Sequence, residues 1–399
     1  MIEIQKTQKK IRTIGLLIIL MIHFSCSSPK RIITNSIKEL NVAVENIFTN
    51  AKISGISVIV VDKNATLYQK SMGFADVESK TPYTNETIQP IGSISKTFIA
   101  LALMKAVELG KLKLDDDINL YLPFKVIHPK HPNTPIIVRH LTNHTSGIID
   151  GAVYNKSYVI RDKNADLSYL PSDGSGYVNG LIKNKKIDDS QFLENMLSEK
   201  GKWYTKDSFG NKAPGKEFNY SNVGSALVAF IIENAVGISF ENFTRKEIFE
   251  PLKMTNTGWD LTSLNKEKYA SKYFNGEGLK VPEYELVTKS DGGLITSSDD
   301  FGKYLQEMLK GYYGEGTLLS KKSYKEMYTR NAANIEKCGI FWAISDKGNP
   351  NHNGSDPGVL TNTVIMKDKE FGIFIMSNGT EQINKLQEIF NTILTHKFK

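Results

Sequence analysis

The sequence lacks the features that would place it among membrane, fibrous or disulfide-stabilised proteins. It contains only two cysteines, Cys26 and Cys338, and shows no internal repeat and no low-complexity tract. The short apolar run from Ile14 to Ile22 is about half of the roughly 20 residues that a membrane-spanning helix needs. With 399 residues, 40% of them hydrophobic and 23% charged, the chain has the composition of an ordinary globular protein.

The positive charge of the chain is too small to indicate a nucleic-acid partner. The formal net charge is +7, and part of this excess comes from the basic residues that precede the apolar run, which are Lys6, Lys9, Lys10 and Arg12. So mild an excess does not create the strong field that attracts a polyanion. We therefore expect no nucleic-acid partner, and the sequence indicates no oligomeric state.

The N-terminal segment is typical of a bacterial export signal. Basic residues, a short apolar run and small residues follow one another in the order of a secretory signal peptide. Residues 1–25 are predicted to be this signal peptide, and residues 26–37 a polar tether. Cys26 resembles the lipidated cysteine of bacterial lipoproteins, although His23 and Phe24 depart from that pattern, and cleavage by an ordinary signal peptidase is the alternative. Both routes predict an exported protein; with lipid, it would be anchored on the periplasmic face of a membrane.

Strand signals lie towards both ends of the chain, and helix signals dominate its middle. Strands are predicted at 55–61, 66–70, 341–345, 360–367 and 371–376, and helices at 95–109, 190–200, 222–235, 298–310 and 381–395. Ser298 is the predicted N-cap of the helix that runs to about residue 310. This order predicts a mixed α/β (α+β) fold, in which an antiparallel sheet flanked by helices carries an inserted, mostly helical lobe. The sheet-and-helix lobe is predicted at 38–92 and 285–399 and the helical lobe at 93–284, with the active site between them.

One segment of the predicted helical lobe, residues 151–212, contains no recognisable motif. It is rich in Tyr, Asn, Lys and Asp. A long segment of this kind is either a lid that shapes substrate choice or a variable surface excursion.

Ser93 and Lys96 are the first candidates for chemistry. They are three residues apart at the start of a predicted helix, so their side chains emerge on one face within reach of each other. A serine hydroxyl becomes a good nucleophile when an adjacent base takes its proton, and a helix N-terminus favours the negative oxygen that results. The S-x-x-K tetrad alone also occurs by chance, and it is equally compatible with an exposed helix start.

Several segments together resemble the superfamily of serine β-lactamases and penicillin-binding D-peptidases. The similar segments are the nucleophile segment at 91–98, the R-H-L-L-x-H-T-S-G segment at 139–147, the Y-x-N motif at Tyr220–Asn222 and the H-x-G form of the third motif at His352–Gly354. They occur in the family's order, and the resemblance covers about residues 40–395. It implies a β-lactamase/transpeptidase-like fold of the class C kind.

The resemblance implies roles for two groups of site residues. Ser93 would be the nucleophile, and either Lys96 or Tyr220 would be the base, a choice that the sequence leaves open. The substrate would be positioned by residues of the second and third motifs, which are Asn222, His352, Gly354 and Ser355. The backbone N–H groups of Ser93 and Ser355 would form the oxyanion hole.

A histidine stands at position 352, where the family often has the lysine of a K-T-G motif. Lysine is a fixed cation that grips a substrate carboxylate, whereas histidine, with a reference pKa of about 6.5, is mostly neutral at pH 7. Strong β-lactam hydrolysis is therefore not expected.

No metal ion or cofactor is expected. His140 and His144 have the spacing of a metal-binding pair, but no third ligand of the usual zinc type lies nearby in the sequence. The resemblance instead gives this segment a structural role at the lobe junction.

The predicted function is that of a serine hydrolase that forms an acyl-enzyme on Ser93. Its partner would be a small-molecule or peptide substrate: a D-amino-acid peptide, a peptidoglycan stem peptide, an ester or a β-lactam. The motifs do not choose among these. The alternative is a lipoprotein that senses or binds an acyl ligand without turnover, or with slow turnover.

Overall fold

The computed structural model describes residues 34–164, 180–275, 278–330, 338–380 and 382–398. The predicted signal peptide at 1–25 and Cys26 lie outside the described residues, as do residues 165–179 of the excursion. The chain divides into two compact units, of which one contains the residues up to Ala51 and those from Gln382 onward, and the other contains Lys52–Glu381. The lobe boundaries inferred from the sequence stay a prediction.

The α-helices are distributed along both units. In chain order they are α1 (Ile37–Ala51), α2 (Ser95–Glu108), α3 (Val138–Thr142), α4 (Asp189–Leu197), α5 (Asn222–Val236), α6 (Phe240–Thr244), α7 (Ser298–Tyr312), α8 (Lys321–Tyr328) and α9 (Ile383–Thr395). A π-helical turn, Arg245–Phe249, continues α6. Among the described residues no single helix is long and apolar enough to cross a membrane; α5 and Phe240–Phe249, bent by 82°, reach that length and composition only as a pair.

In the described part of the chain, the strands form one large and two small antiparallel sheets. They are β1 (Gly55–Val61), β2 (Thr66–Asp76), β3 (Thr81–Pro82), β4 (Gln89–Pro90), β5 (Tyr158–Ile160), β6 (Tyr284–Leu286), β7 (Ile295–Thr296), β8 (Ala343–Ile344), β9 (Pro350–Asp356), β10 (Val359–Met366) and β11 (Phe371–Ser377). The seven-stranded sheet has the order β3-β2-β1-β11-β10-β9-β8, while β4 pairs with β7 and β5 with β6. The mixed fold with an antiparallel sheet, predicted from the sequence, is confirmed.

The centre of the large sheet is its most apolar part. β1 and β11 are buried along their whole length, as expected for β-branched and aromatic strands covered on both faces. α7 packs on this centre, where Phe301 stacks on Phe374 with ring centroids 3.7 Å apart. In turn, Phe98 of α2 stacks on Tyr304 of α7 at 3.9 Å. α2, which follows Ser93, is therefore fixed through α7 to the middle of the sheet.

Several predicted boundaries are confirmed and two are corrected. α5 ends at Gly237, which has the left-handed φ of 79° expected after a helix. The N-cap of α7 is Ser297 and not Ser298, because the Ser297 side chain accepts the hydrogen bond from the Asp300 N–H. The strand predicted at 341–345 shrinks to Ala343–Ile344, since Phe341 has a φ of 53°, which no extended strand contains.

Candidate active site

Ser93 lies in a 3₁₀ turn, Gly92–Ile94, that leads directly into α2. Gly92 has a φ of 56°, a left-handed conformation that glycine adopts without strain. The Ser95 hydroxyl fixes the turn by donating to the Gly92 carbonyl at 2.7 Å and accepting from the Leu294 N–H at 3.1 Å. The turn thus presents Ser93 at the N-terminal end of α2, where the helix dipole favours negative charge.

Lys96 is buried directly beneath Ser93. Its Nζ donates to Asn222 Oδ1 at 2.7 Å and to the Asp291 carbonyl at 2.6 Å, and it lies 3.2 Å from Ser93 Oγ. Two oxygen acceptors therefore occupy two of the three positions on the nitrogen. The third faces the serine, as an N–H in the ammonium form or as the lone pair in the amine form. The structure brings the predicted nucleophile and one predicted base into direct contact.

Tyr220, the other predicted base, lies beside Lys96. The Lys96 Nζ is 5.0 Å from the centroid of the Tyr220 ring, within the range of a cation–π contact. In the described part of the chain, the Tyr220 hydroxyl makes no hydrogen bond to Ser93 or to Lys96. The buried ring of His144 packs at 4.5 Å from the Tyr220 ring, and its Nδ1 accepts the Ser221 N–H at 3.2 Å. His144 thus holds the segment that carries Tyr220.

His140 and His144 pack against neighbouring parts of the chain. Within the ranges that the structure describes, no group of three His, Cys, Asp or Glu side chains is placed to hold a metal ion. A Cβ built at Gly215 would lie 2.8 Å from His140 Nε2, so the His140 ring is packed against the Pro214–Gly215 turn. His140 therefore contacts the turn that precedes the second motif, and His144 contacts the motif itself.

The start of α5 is held by a carboxylate that the sequence did not single out. Asp150 accepts hydrogen bonds from the Ser221 hydroxyl at 2.8 Å, the Asn222 N–H at 2.9 Å and the Val223 N–H at 3.0 Å. These N–H groups belong to the first turn of a helix, which lacks partners within the helix itself. Asp150 therefore fixes Asn222, whose Oδ1 receives Lys96. Its position next to the 139–147 segment was the only signal in the sequence.

β9 passes very close to the Ser93 turn. A Cβ built at Gly354 would lie 2.2 Å from the Ile91 carbonyl oxygen and 3.1 Å from the Ser93 nitrogen. A Cβ built at Gly92 would lie 2.9 Å from the Ser355 nitrogen. Only glycine permits this approach at either position. The backbone nitrogens of Ser93 and Ser355 therefore lie on adjoining segments, as the oxyanion-hole hypothesis requires.

His352 lies on β9 and does not supply a fixed cation. Its Nδ1 is 2.6 Å from the Asn353 carbonyl oxygen. Burial, and then the positive charge of Lys96, lower the pKa of His352 to about 4. The imidazole is therefore neutral at pH 7, and this position lacks the charge that a lysine would bring.

Two aspartates beside the site receive tyrosine hydroxyls from the 151–212 excursion. Tyr154 donates to Asp291 Oδ1 at 3.0 Å, and Tyr158 donates to Asp356 Oδ1 at 2.5 Å. Both tyrosines are buried. Sequence reasoning missed all four residues; the only signals were that Asp291 precedes the Gly292–Gly293 pair and that Asp356 follows the third motif.

The fold and this site define a serine hydrolase of the β-lactamase-related kind. The beta-lactamase family model matches residues 40–392. The chain belongs to that family, within the superfamily of serine β-lactamases and penicillin-binding proteins.

Individual relatives agree with this assignment at low identity. The chain is 25% identical to Protein Flp of Staphylococcus aureus (strain N315) over 375 residues. The alignment covers 92% of this chain and 68% of that protein. An octameric penicillin-binding protein homologue from Pyrococcus abyssi matches with a TM-score of 0.67 and 26% identity, over 90% of this chain and 76% of that one. A class C beta-lactamase matches with a TM-score of 0.65 and 20% identity, over 89% of this chain and 94% of that one, and shows the shared fold.

Proposed function

We propose that this chain hydrolyses acyl donors through an acyl-enzyme on Ser93. The contact of 3.2 Å between Lys96 Nζ and Ser93 Oγ carries this proposal, because the buried lysine has its other two positions occupied. Ser93 Oγ bonds to the substrate carbonyl carbon, and its proton passes to Lys96 or Tyr220 and then to the leaving group, whose bond to that carbon breaks. Water next adds to the ester, and Ser93 leaves with a proton.

Further groups support binding of the carbonyl next to this serine. The Ser93 and Ser355 N–H groups would donate to the oxyanion. The Asn222 side-chain nitrogen makes no hydrogen bond within the described residues, since only its Oδ1 is engaged, and it would donate to a substrate amide. His352 and Gly354 would border the bound substrate on β9.

For substrate, we propose D-amino-acid peptides, including peptidoglycan stem peptides, with small esters and β-lactams as related acyl donors. The penicillin-binding protein homologue among the similar structures supports this choice. The neutral state of His352 argues against efficient turnover of donors that need a lysine for their carboxylate. No metal or cofactor takes part in the proposed reaction.

Intact-mass spectrometry tests the nucleophile. The protein is exposed to a fluorophosphonate, a penicillin and a D-Ala-D-Ala peptide, beside the variants Ser93→Ala and Ser263→Ala. Ser263 is an exposed serine outside the site. We expect a mass gain in the wild type and in Ser263→Ala, and none in folded Ser93→Ala. Folded wild-type protein without any adduct would contradict the proposal.

Product release then separates an enzyme from a sensor. An enzyme releases many equivalents of product for each Ser93, whereas a sensor stops after about one acyl group is bound. We expect repeated release from at least one donor. A stable adduct of one equivalent with every donor would instead support the slowly turning-over binding lipoprotein.

We also propose that the protein is exported and that Cys26 carries lipid. The basic, apolar and small residues of 1–25 support this proposal. Metabolic labelling with an alkyne fatty acid tests it in cells that express the full chain, with Cys26→Ala beside Cys338→Ala as the matched control, because Cys338 is buried. We expect label in the wild type and in Cys338→Ala alone; equal label in Cys26→Ala would reject lipidation at this site.

A further inference from the structure

The face of β9 that borders Ser93 carries an aspartate. Side chains alternate along a strand, so His352, Gly354 and Asp356 share one face. Gly354 is the member of this set that touches the Ser93 turn. The positive charge of Lys96 acts on the other two, because it affects the pKa values of both His352 and Asp356. A neutral imidazole and a carboxyl group therefore flank the glycine opposite the nucleophile.

Asp356 is held in place from one side only. The Tyr158 hydroxyl donates to its Oδ1 at 2.5 Å. Its Oδ2 has no hydrogen-bond donor among the described residues, and a Cβ built at Gly292 would lie 3.3 Å from this oxygen and 3.8 Å from the Gly92 carbonyl carbon. This oxygen thus lies close to Gly292, which has no side chain of its own, and on the side of Gly292 that faces Gly92 of the Ser93 turn.

The turn that follows Asp356 is also fixed. The Tyr284 hydroxyl donates to the Pro357 carbonyl at 3.1 Å, and the buried Lys272 packs against Gly358, where a Cβ would lie 2.4 Å from the Lys272 Cβ. Pairing of β5 with β6 brings Tyr158 and Tyr284 to this turn together. The carboxyl group is therefore preorganised, which lowers the entropic cost of binding a partner.

The charges around this position favour a cationic group over an anionic one. Burial raises the pKa of Asp356 to about 6, so the group is mostly ionised above pH 7. Lys96 cannot grip a substrate carboxylate, because its nitrogen already contacts Ser93, Asn222 and Asp291. His352 is neutral. A carboxylate on the substrate would meet the negative charge of Asp356, and the Lys96 nitrogen has no position left with which to pair it.

We propose that Asp356, held by Tyr158, selects acyl donors that carry a primary ammonium group near the scissile carbonyl and disfavours donors with a carboxylate there. The proposal rests on the acyl transfer at Ser93 proposed above and names the substrate class of that site. The ammonium would donate a charge-assisted hydrogen bond to Asp356 Oδ2. A purely structural role is the competing reading, in which Asp356 only accepts the Tyr158 hydrogen bond.

Four p-nitroanilides with the same scissile bond test this selection. They are D-alanyl, Nα-acetyl-D-lysyl, N-acetyl-D-alanyl and N-succinyl-D-alanyl p-nitroanilide, which present an α-ammonium, a side-chain ammonium, a neutral group and a carboxylate. The readout is the ratio of kcat/KM for each ammonium donor to kcat/KM for the neutral donor. The two ammonium donors distinguish an α-amino group from a side-chain amino group as the recognised source.

Three variants separate charge from structure. Asp356→Asn keeps an acceptor for Tyr158 and removes the charge, whereas Tyr158→Phe removes the hydrogen bond and keeps the charge. Asp116→Asn is the matched control, because Asp116 also accepts a tyrosine hydroxyl, from Tyr121, and contacts none of the site residues. In the wild type and in Asp116→Asn, we expect kcat/KM for one ammonium donor to exceed kcat/KM for the neutral donor by about 10- to 100-fold. In Asp356→Asn this ratio should be near one, and in Tyr158→Phe it should be intermediate.

The outcomes distinguish this proposal from the one on which it rests. A ratio that Asp356→Asn leaves unchanged, or a wild type that prefers the neutral or succinylated donor, overturns the selectivity. The selectivity is also overturned if a fluorophosphonate labels Ser93 but none of the four donors acylates it. A Ser93 that no reagent labels in folded protein overturns the acyl-enzyme proposal itself.

Discussion

The side chain of Lys96 and the backbone carbonyl of Asp291 are joined by a hydrogen bond of 2.6 Å. On its other side, the Asp291 carboxyl group accepts the Tyr154 hydroxyl at 3.0 Å. The residue that precedes the Gly292–Gly293 pair therefore links the lysine to the 151–212 excursion. Its backbone carbonyl positions Lys96, one of the two proposed bases, and its carboxyl group is buried nearby.

The burial of Asp291 predicts a stability effect that depends on pH. Burial raises the pKa of Asp291 from 3.8 to about 7, against the opposing effect of Lys96. Between about pH 4 and 7 the folded protein holds a proton that the unfolded chain has released, so the contribution of this group to stability falls as pH rises, by up to about 1.4 kcal/mol per pH unit. Asp291→Asn cannot ionise and should lose this slope.

Urea unfolding at pH 5 and pH 8 measures this prediction. We expect the free energy of unfolding of Asp291→Asn, relative to that of the wild type, to be higher at pH 8 than at pH 5. Asp368→Asn is the control for the loss of a carboxylate, since Asp368 is exposed on the turn between β10 and β11. If the free energy of unfolding of Asp291→Asn, relative to that of the wild type, were instead lower at pH 8 than at pH 5, the ionised carboxylate would be stabilising.

Replacing Tyr220 by phenylalanine keeps its ring beside Lys96 and removes only the hydroxyl. If the phenol carries the proton, the fluorophosphonate labelling rate of Ser93 should fall by about 10²- to 10⁴-fold, the usual contribution of a positioned acid or base. A fall of this size in Tyr220→Phe, with thermal melting close to that of the wild type, would assign the proton transfer to the phenol. Labelling that stays within a few-fold would assign the proton transfer to Lys96 alone.

Asp150 should matter both for stability and for the site. In Asp150→Asn, an NH₂ group that can only donate replaces one of the two oxygens that accept from backbone N–H groups. This substitution should destabilise the fold by about 1–3 kcal/mol. Because Asn222 is the first residue of α5, Ser93 labelling should slow as well. Ser320→Ala removes the N-cap of α8 and should cost about 1 kcal/mol without slowing the labelling. Equal labelling in both variants would uncouple the cap from the site.

Gly92 should tolerate no side chain, and Gly237 provides the matched comparison. Both have positive φ values, of 56° and 79°, so alanine is strained by about 1–2 kcal/mol at each. At Gly92 the new Cβ would also lie 2.9 Å from the Ser355 nitrogen, whereas nothing lies within 4 Å at Gly237. We expect Gly92→Ala to lose Ser93 labelling and Gly237→Ala to keep it. If folded Gly92→Ala kept its labelling, the Ser93 turn and β9 could separate without loss of reactivity.

Regular patterns made much of the fold predictable. β1, β11 and α5 follow from continuous apolar runs, and the lengths of these runs and the turn residues at their ends locate them within one or two residues. β9 has the sequence PNHNGSD, which contains no β-branched residue, and only the family resemblance located it. It becomes a strand because β10 supplies its hydrogen-bond partners.

The motifs located the candidate site residues, but not the contacts that hold them. Tyr158 reaches Asp356 from 198 positions away, and Tyr154 reaches Asp291 from 137 positions away. No periodicity encodes such hydrogen bonds, because they depend on how loops cross after the sheet has formed. The short pairing of β5 with β6, between Tyr158 and Leu286, is equally non-local. These contacts exist only in the folded chain.

The order of the large sheet sets when the site can be completed during synthesis. β11 lies between β1 and β10, so strands from the two ends of the Lys52–Glu381 unit meet only through it. A chain that has grown to residue 370 already contains every proposed site residue, from Ser93 to Ser355, yet in the large sheet β1 can pair only with β2, because β11 has not yet been made. Until β11 has emerged from the ribosome, the large sheet cannot join the strands that precede Ser93 to the strand that carries Ser355.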